Sequence, residues 1–272
     1  MVNIGAGKNS GSYVDDGFDP SSWIEVEAYT EELLNRKISC SKCLEGIIRD
    51  ASELSEHISE KGALLYISMT CDTENEEKKG AFLDFVENVR PKLSEFSDSL
   101  NRRIVSHEAI EDLPERYDLM IRSMKNDVEI FRKENIPLSV EQTKLVTEAQ
   151  TINGAMSVEY EGEEYTIPEM RVFLESNERS VREGAWKAVA DRRLQDEGRL
   201  SEIFDQLIVI RNEIAINAGF ETYTDYMFRA MERFDYTKND CLEFHDAIEA
   251  VCVPLMREIN SRRIDFLELG SL

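Results

Sequence analysis

LEGIIRDASELSEHI, residues 44–58, decides the fold class. Leu44, Ile47, Ile48, Ala51, Leu54 and Ile58 recur at three- and four-residue steps, with charged and polar residues between them. That period lines one face of a helix with apolar groups, whereas a half-buried strand would need strict alternation. Upstream, Asp19-Pro20-Ser21 opens an earlier helix with a cap residue followed by proline, whose missing N–H costs nothing there. Trp23, Val26, Tyr29, Leu33 and Leu34 then mark its inner face, and the chain breaks at 37–39.

Downstream, Gly62 suggests a turn before the apolar run 63–69. Thr73 with Glu76 reads as a capping box for a helix whose core face is Ala81, Phe82, Phe85, Val86 and Val89. Pro91 bends or ends it, and further helices are expected near 92–106, 115–134 and 139–152. Alternating residues at 156–160 and 165–167 flank Glu161-Gly162-Glu163-Glu164, which predicts a β-hairpin. Ser176 or Asn177 should cap a helix to about Asp196, with Val181, Ala185, Trp186, Val189 and Leu194 inward. A helix from Leu200 to Ala218 stops at Gly219, a short one spans 223–231, and Thr237 with Asp240 opens a long one to about Phe266. The fold class expected is mainly α: a multi-helix lobe of long antiparallel helices with one small β-hairpin at about 156–167.

Composition agrees. The 272 residues are 42% hydrophobic and 32% charged, with 6 prolines and 13 glycines, too few for a sandwich of many tight turns. A net charge of −23 repels phosphate backbones and anionic lipid, so neither nucleic acid nor a membrane is an expected partner. Residues 1–20 have no basic region followed by an apolar run, so they read as a flexible N-terminal segment and not as a signal peptide. No apolar stretch approaches the ~18 residues of a membrane span. Five cysteines form no secreted-type framework, and a reducing cytoplasm is the simplest address.

Residues with metal or redox chemistry are sparse. His107-Glu108-Ala109-Ile110-Glu111 has the outline of H-E-x-x-H, in which two imidazoles one helical turn apart reach one zinc ion. Glu111 stands where the second imidazole is needed, and Pro114 follows at a helix end, which favours an acidic turn. His245 with Glu249, and His57 with Glu60, each offer only two ligands where zinc takes three or four from the protein. Cys40-Ser41-Lys42-Cys43 is a C-x-x-C without the second pair of a zinc knuckle or the preceding strand of a redox fold. Glycine-rich phosphate loops and a serine nucleophile elbow are absent from the sequence. Catalytic, cofactor-binding and metal residues are therefore each assigned as none.

Several stretches resemble the N-terminal half of oligoendopeptidase F-type enzymes, relatives of thimet oligopeptidase. They are Met69-Thr70-Cys71-Asp72-Thr73, the run from Phe131 to Leu138, the hairpin from Gly154 to Ile167, and Arg182 to Asp196 with Trp186. Ala218-Gly219-Phe220 with Tyr223, Asp225 and Tyr226 follows, then Arg233 to Thr237, Phe244-His245 and Pro254. Their order extends from about Trp23 to the end of the chain. The resemblance implies two helical lobes around a deep channel and zinc-dependent cleavage of short peptides. Two histidines of H-E-x-x-H and a later glutamate would hold zinc, the motif glutamate would activate water, and a further tyrosine or histidine would stabilise the oxyanion. It divides the chain into the flexible segment 1–20, an N-terminal helical region 21–152, and a region 153–272 that starts the catalytic part. That last region ends before the zinc motif, so the chain alone is expected to be inactive. Zinc would belong to the full-length family, with no ligands identified here, and the expected partners are short peptides and the missing C-terminal catalytic half. A stand-alone helical scaffold derived from the same lobe is the alternative.

Overall fold

The computed structural model describes residues 12–268. Helices dominate them, and the β structure among the described residues is one antiparallel hairpin. The first four helices are α1 (Trp23–Asn35), α2 (Ser41–Thr70), α3 (Glu76–Asn88) and α4 (Arg90–Val105). They bury Val26, Leu33, Leu44, Ile47, Leu54, Phe85 and Ile104 in the largest core cluster, so the apolar face of 44–58 points inward as its spacing requires. Short 3-10 turns at Glu108–Ile110 and Glu115–Tyr117 lead to α5 (Asp118–Ile130) and α6 (Asn135–Gly154). Strands β1 (Ser157–Tyr160) and β2 (Glu163–Thr166) pair with Val158 opposite Tyr165, and positive φ at Glu161 and Gly162 closes the turn. The chain continues through α7 (Arg171–Leu174), α8 (Arg179–Gln195), α9 (Glu197–Asn217) and α10 (Tyr223–Ala230). It ends in α11 (Lys238–Ala247), a π-helical turn (Ile248–Cys252) and α12 (Val253–Phe266). The hairpin packs Val158 with Met170 of the following turn and Ala185 of α8, while α6 and α9 share Leu145, Ile203 and Leu207.

Several local expectations are corrected. Of the segment read as flexible, residues 1–11 lie outside the described residues, while Tyr13, Val14 and Phe18 pack into the main core. Tyr13 and Val14 are buried, and the Glu53 carboxylate of α2 accepts both their backbone N–H groups at 2.8 and 2.9 Å, together with the Ser12 hydroxyl. Polar composition suggested mobility there, but a long-range carboxylate clamp supplies the partners. Helix α2 runs through Gly62 without a turn, because a Cβ at that position would stand 2.9 Å from the Phe85 ring. The glycine serves close packing of α2 on α3. Asn75, not Thr73, caps α3 and accepts from the Lys78 N–H at 3.1 Å. Ser22 is the cap residue of α1 and Glu178 that of α8. Trp186 and Leu194 face outward, 62% and 61% exposed.

The other helix signals agree with the structure. Gly219 ends α9 at φ +88, and Thr237 forms a full capping box with Asp240. The long last helix is interrupted by its π turn just before Pro254. Proline offers no N–H to the preceding turn and crowds its carbonyl, and one wider turn accommodates both.

Candidate functional site

The three histidines are far from forming one site. His107 starts the 3-10 turn 108–110, and its Nδ1 accepts the Ala109 N–H at 3.1 Å, so the imidazole is spent as a cap. Glu111 closes the same turn, which leaves no helical face on which two ligands could sit one turn apart. His57 lies on the exposed side of α2, its ring edge-on to Phe18. His245 is exposed on α11 beside Phe244, and Glu249 lies in the π turn beyond it. No group of three or more His, Cys, Asp or Glu side chains among the described residues could hold a metal ion.

The stretches that carried the resemblance do meet, and they meet as packing and capping residues. Asn135 donates to the Ile214 carbonyl and accepts from Asn217, both at 2.9 Å, which ties the start of α6 to the end of α9. Arg132 donates to the Ala218 carbonyl at 3.3 Å beside that junction. The Tyr226 ring meets Phe220 edge-on and stacks on Tyr223. Burial raises the Tyr226 hydroxyl above its ordinary range, and the neighbouring Tyr223 adds to the shift. Thr73 fits against Gly154, where a Cβ would stand 2.5 Å from its hydroxyl, so the first and third of those stretches interlock. Tyr160 of the hairpin donates to the Val181 carbonyl at 3.1 Å and thereby seats α8.

Concavities surround this frame. A cavity of about 400 Å³ lies between α4, α5 and α6, with Arg90, Asp98, Asn101, Ser139 and Tyr226 among its walls. The Arg90 guanidinium stands over the Phe82 and Phe85 rings, and burial lowers its pKa. A wider groove between α5 and α10 carries Arg122, Lys125, Arg229 and Arg233, a local excess of cations in an acidic chain. A third, about 1120 Å³ and open, is apolar: Leu174, Trp186, Val189, Leu194 and Phe204 line it between α7, α8 and α9. Sequence periodicity assigned Trp186 and Leu194 to a core, because an apolar stripe looks the same whether its cover is present or absent.

Beyond it, no residue of α10, α11, the π turn or α12 is buried. Phe244, Ile248, Val251, Leu255, Ile259 and Phe266 nevertheless recur at helical intervals along this arm and are exposed. The spacing is that of a buried helix face, and nothing in the described residues covers it. No helix of the described residues is long and apolar enough to cross a membrane.

Comparison with known proteins gives the frame a context. Residues 18–131 match the family described as Peptidase M3 N-terminal domain. None of the curated proteins compared with the chain matches it. Among solved structures, an oligoendopeptidase F from Bacillus anthracis superimposes with a TM-score of 0.88 at 20% identity, covering 97% of this chain and 49% of that one. A further oligoendopeptidase F, determined at 3.1 Å, gives 0.87 at 20% identity over 94% of this chain and 46% of its own. PZ peptidase A, solved with an inhibitor, gives 0.86 at 22% identity, covering 91% and 44%. The chain thus spans about half the length of the solved structures it matches. Residues 18–131 are thus similar to the Peptidase M3 N-terminal domain, and over nearly all its length the chain has the fold of about half of each oligoendopeptidase F structure.

Proposed function

We propose that the chain is the N-terminal part of a zinc-dependent metalloendopeptidase of the oligoendopeptidase F type, acting on short peptides in the cytoplasm. Residues 21–152 form its N-terminal helical region, and residues 153–272 form the hairpin and the helical start of the catalytic region. In this reading the chain builds one wall of the substrate channel and confines the peptide. The zinc ion, the activated water and bond cleavage belong to a C-terminal half, since these 272 residues contain no H-E-x-x-H. The assignment of no catalytic or metal-binding residue to this chain is part of the same proposal. Unpaired cysteines and a net charge of −23 support the address and the exclusion of nucleic acid as a partner.

The observation that carries the proposal is the uncovered apolar arm from Lys238 to Phe266, together with the open groove walled by Trp186 and Phe204. Isolated soluble chains rarely expose contiguous apolar surface on this scale, whereas an enzyme lobe separated from its other half would. A self-sufficient scaffold would instead present polar residues at Phe244, Val251 and Leu255. The test is binding of an environment-sensitive apolar dye, with sedimentation of the same sample. The folded chain should bind dye strongly and self-associate, and Phe244→Ser/Val251→Ser/Leu255→Ser should lower both by more than half without loss of helical signal. A monomer that binds no dye at any concentration would favour the scaffold.

A further inference from the structure

The C-x-x-C of residues 40–43 sits at the start of the longest described helix. Cys40 is the N-cap of the 30-residue α2, with φ −166 and ψ 168, and Cys43 is its third helical residue. At a helix start the side chains of these two positions turn toward each other, the geometry that lets a capping box close. With cysteine at both, the two Sγ atoms lie 3.0 Å apart. The Ser39 hydroxyl lies 3.2 Å from the Cys43 sulfur. Cys40 is exposed and Cys43 partly so, while the next residue, Leu44, is completely buried and fixes the turn in the main core. Although no strand precedes the motif, the backbone enters it extended, so both sulfurs face solvent from a rigid base. The hydrogen bonds from Ser39 and then Cys40 draw the Cys43 thiol down to about 7, in the direction the positive end of a helix also favours.

We propose that Cys40 and Cys43 form a thiol–disulfide exchange site for low-molecular-weight disulfides, with Cys43 the attacking thiol and Cys40 the resolving one. The Cys43 thiolate attacks one sulfur of R–S–S–R and expels RS⁻, leaving a mixed disulfide on Cys43. Cys40 gives its proton to solvent and its thiolate attacks the Cys43 sulfur, forming the Cys40–Cys43 bond and expelling the second RS⁻. Two protein thiols are oxidised and one external disulfide is reduced to two thiols. The site is independent of the peptidase reading and lies outside the stretches that carry the family resemblance.

The experiment uses the fully reduced chain and an aromatic dipyridyl disulfide, whose released thione absorbs light. Exposed Cys71 and Cys252 act as internal controls. At pH 7 the pair should react about threefold to fourfold faster than these controls, because a larger thiolate fraction outweighs the lower intrinsic nucleophilicity of a more acidic thiol. The fast phase should release two thiones, and the peptide carrying both cysteines should lose about 2 Da, the two hydrogens given up in forming its disulfide. Cys40→Ser should trap a stable adduct on Cys43, and Cys43→Ser should reduce the rate to that of the controls. Serine is a good N-cap, so the first of these variants keeps the helix start intact. Equal rates at all exposed thiols, or two stable adducts on 40 and 43 without the mass loss, would overturn the proposal.

Discussion

Glu53 shows how one side chain can order a segment whose composition suggests none. Burial pushes its carboxyl up, but bonds from the Ser12 hydroxyl and the Val14 and Tyr13 N–H groups outweigh that and hold it below the usual range. Nearby, Lys61 and the Ser21 N–H lower Asp19 in the same way. A carboxyl whose folded pKa is depressed stabilises the fold above its unfolded pKa, and the contribution is lost as pH falls through the folded value. The strap 12–19 should therefore loosen in acid, below about pH 4, before the helices melt. Glu53→Gln should remove that acid step, and Glu53→Ala should cost about 2–3 kcal/mol at neutral pH by leaving two amides without their acceptor. Denaturant midpoints measured across pH check both. The strap was hidden from sequence reading because its partner lies about forty residues away, and no local pattern announces such a bond.

At the scale of elements, periodicity placed nearly every helix and the hairpin, since apolar spacing is written locally. It failed where a residue answers to a distant neighbour. Gly62 looked like a turn and proved to be room for Phe85, and Thr73 looked like a cap and proved to be packed on Gly154. This second contact yields a test. Gly154→Ala places a methyl within 3.1 Å of three Thr73 side-chain atoms and should destabilise the fold by about 1–3 kcal/mol, despite alanine's better helix propensity. In a Thr73→Ala background most of that cost should vanish, because the hydroxyl and methyl that obstruct it are gone. A double-mutant cycle in denaturant reads the coupling directly, and simple additivity of the two changes would contradict the interlock. The inward orientation expected of Trp186 and Leu194 failed for a different reason: their stripe is real, but nothing among the described residues covers it.

For the whole molecule, the fold was legible from sequence and the chemistry was not, because the local signals describe packing. His107 is the instructive case. Its pentapeptide differs from a zinc motif at one position, yet the 3-10 turn and the Ala109 N–H bond show an imidazole that caps a corner. The uncovered arm 238–266 and the Trp186 groove fit a lobe built to be closed by a second one. The most direct test of that division of labour is hydrolysis of a quenched fluorescent oligopeptide by this chain alone in zinc-supplemented buffer. No cleavage that a chelator removes is expected. Chelator-sensitive turnover that is also lost in His107→Ala would show that these residues hold a working zinc site and would contradict it.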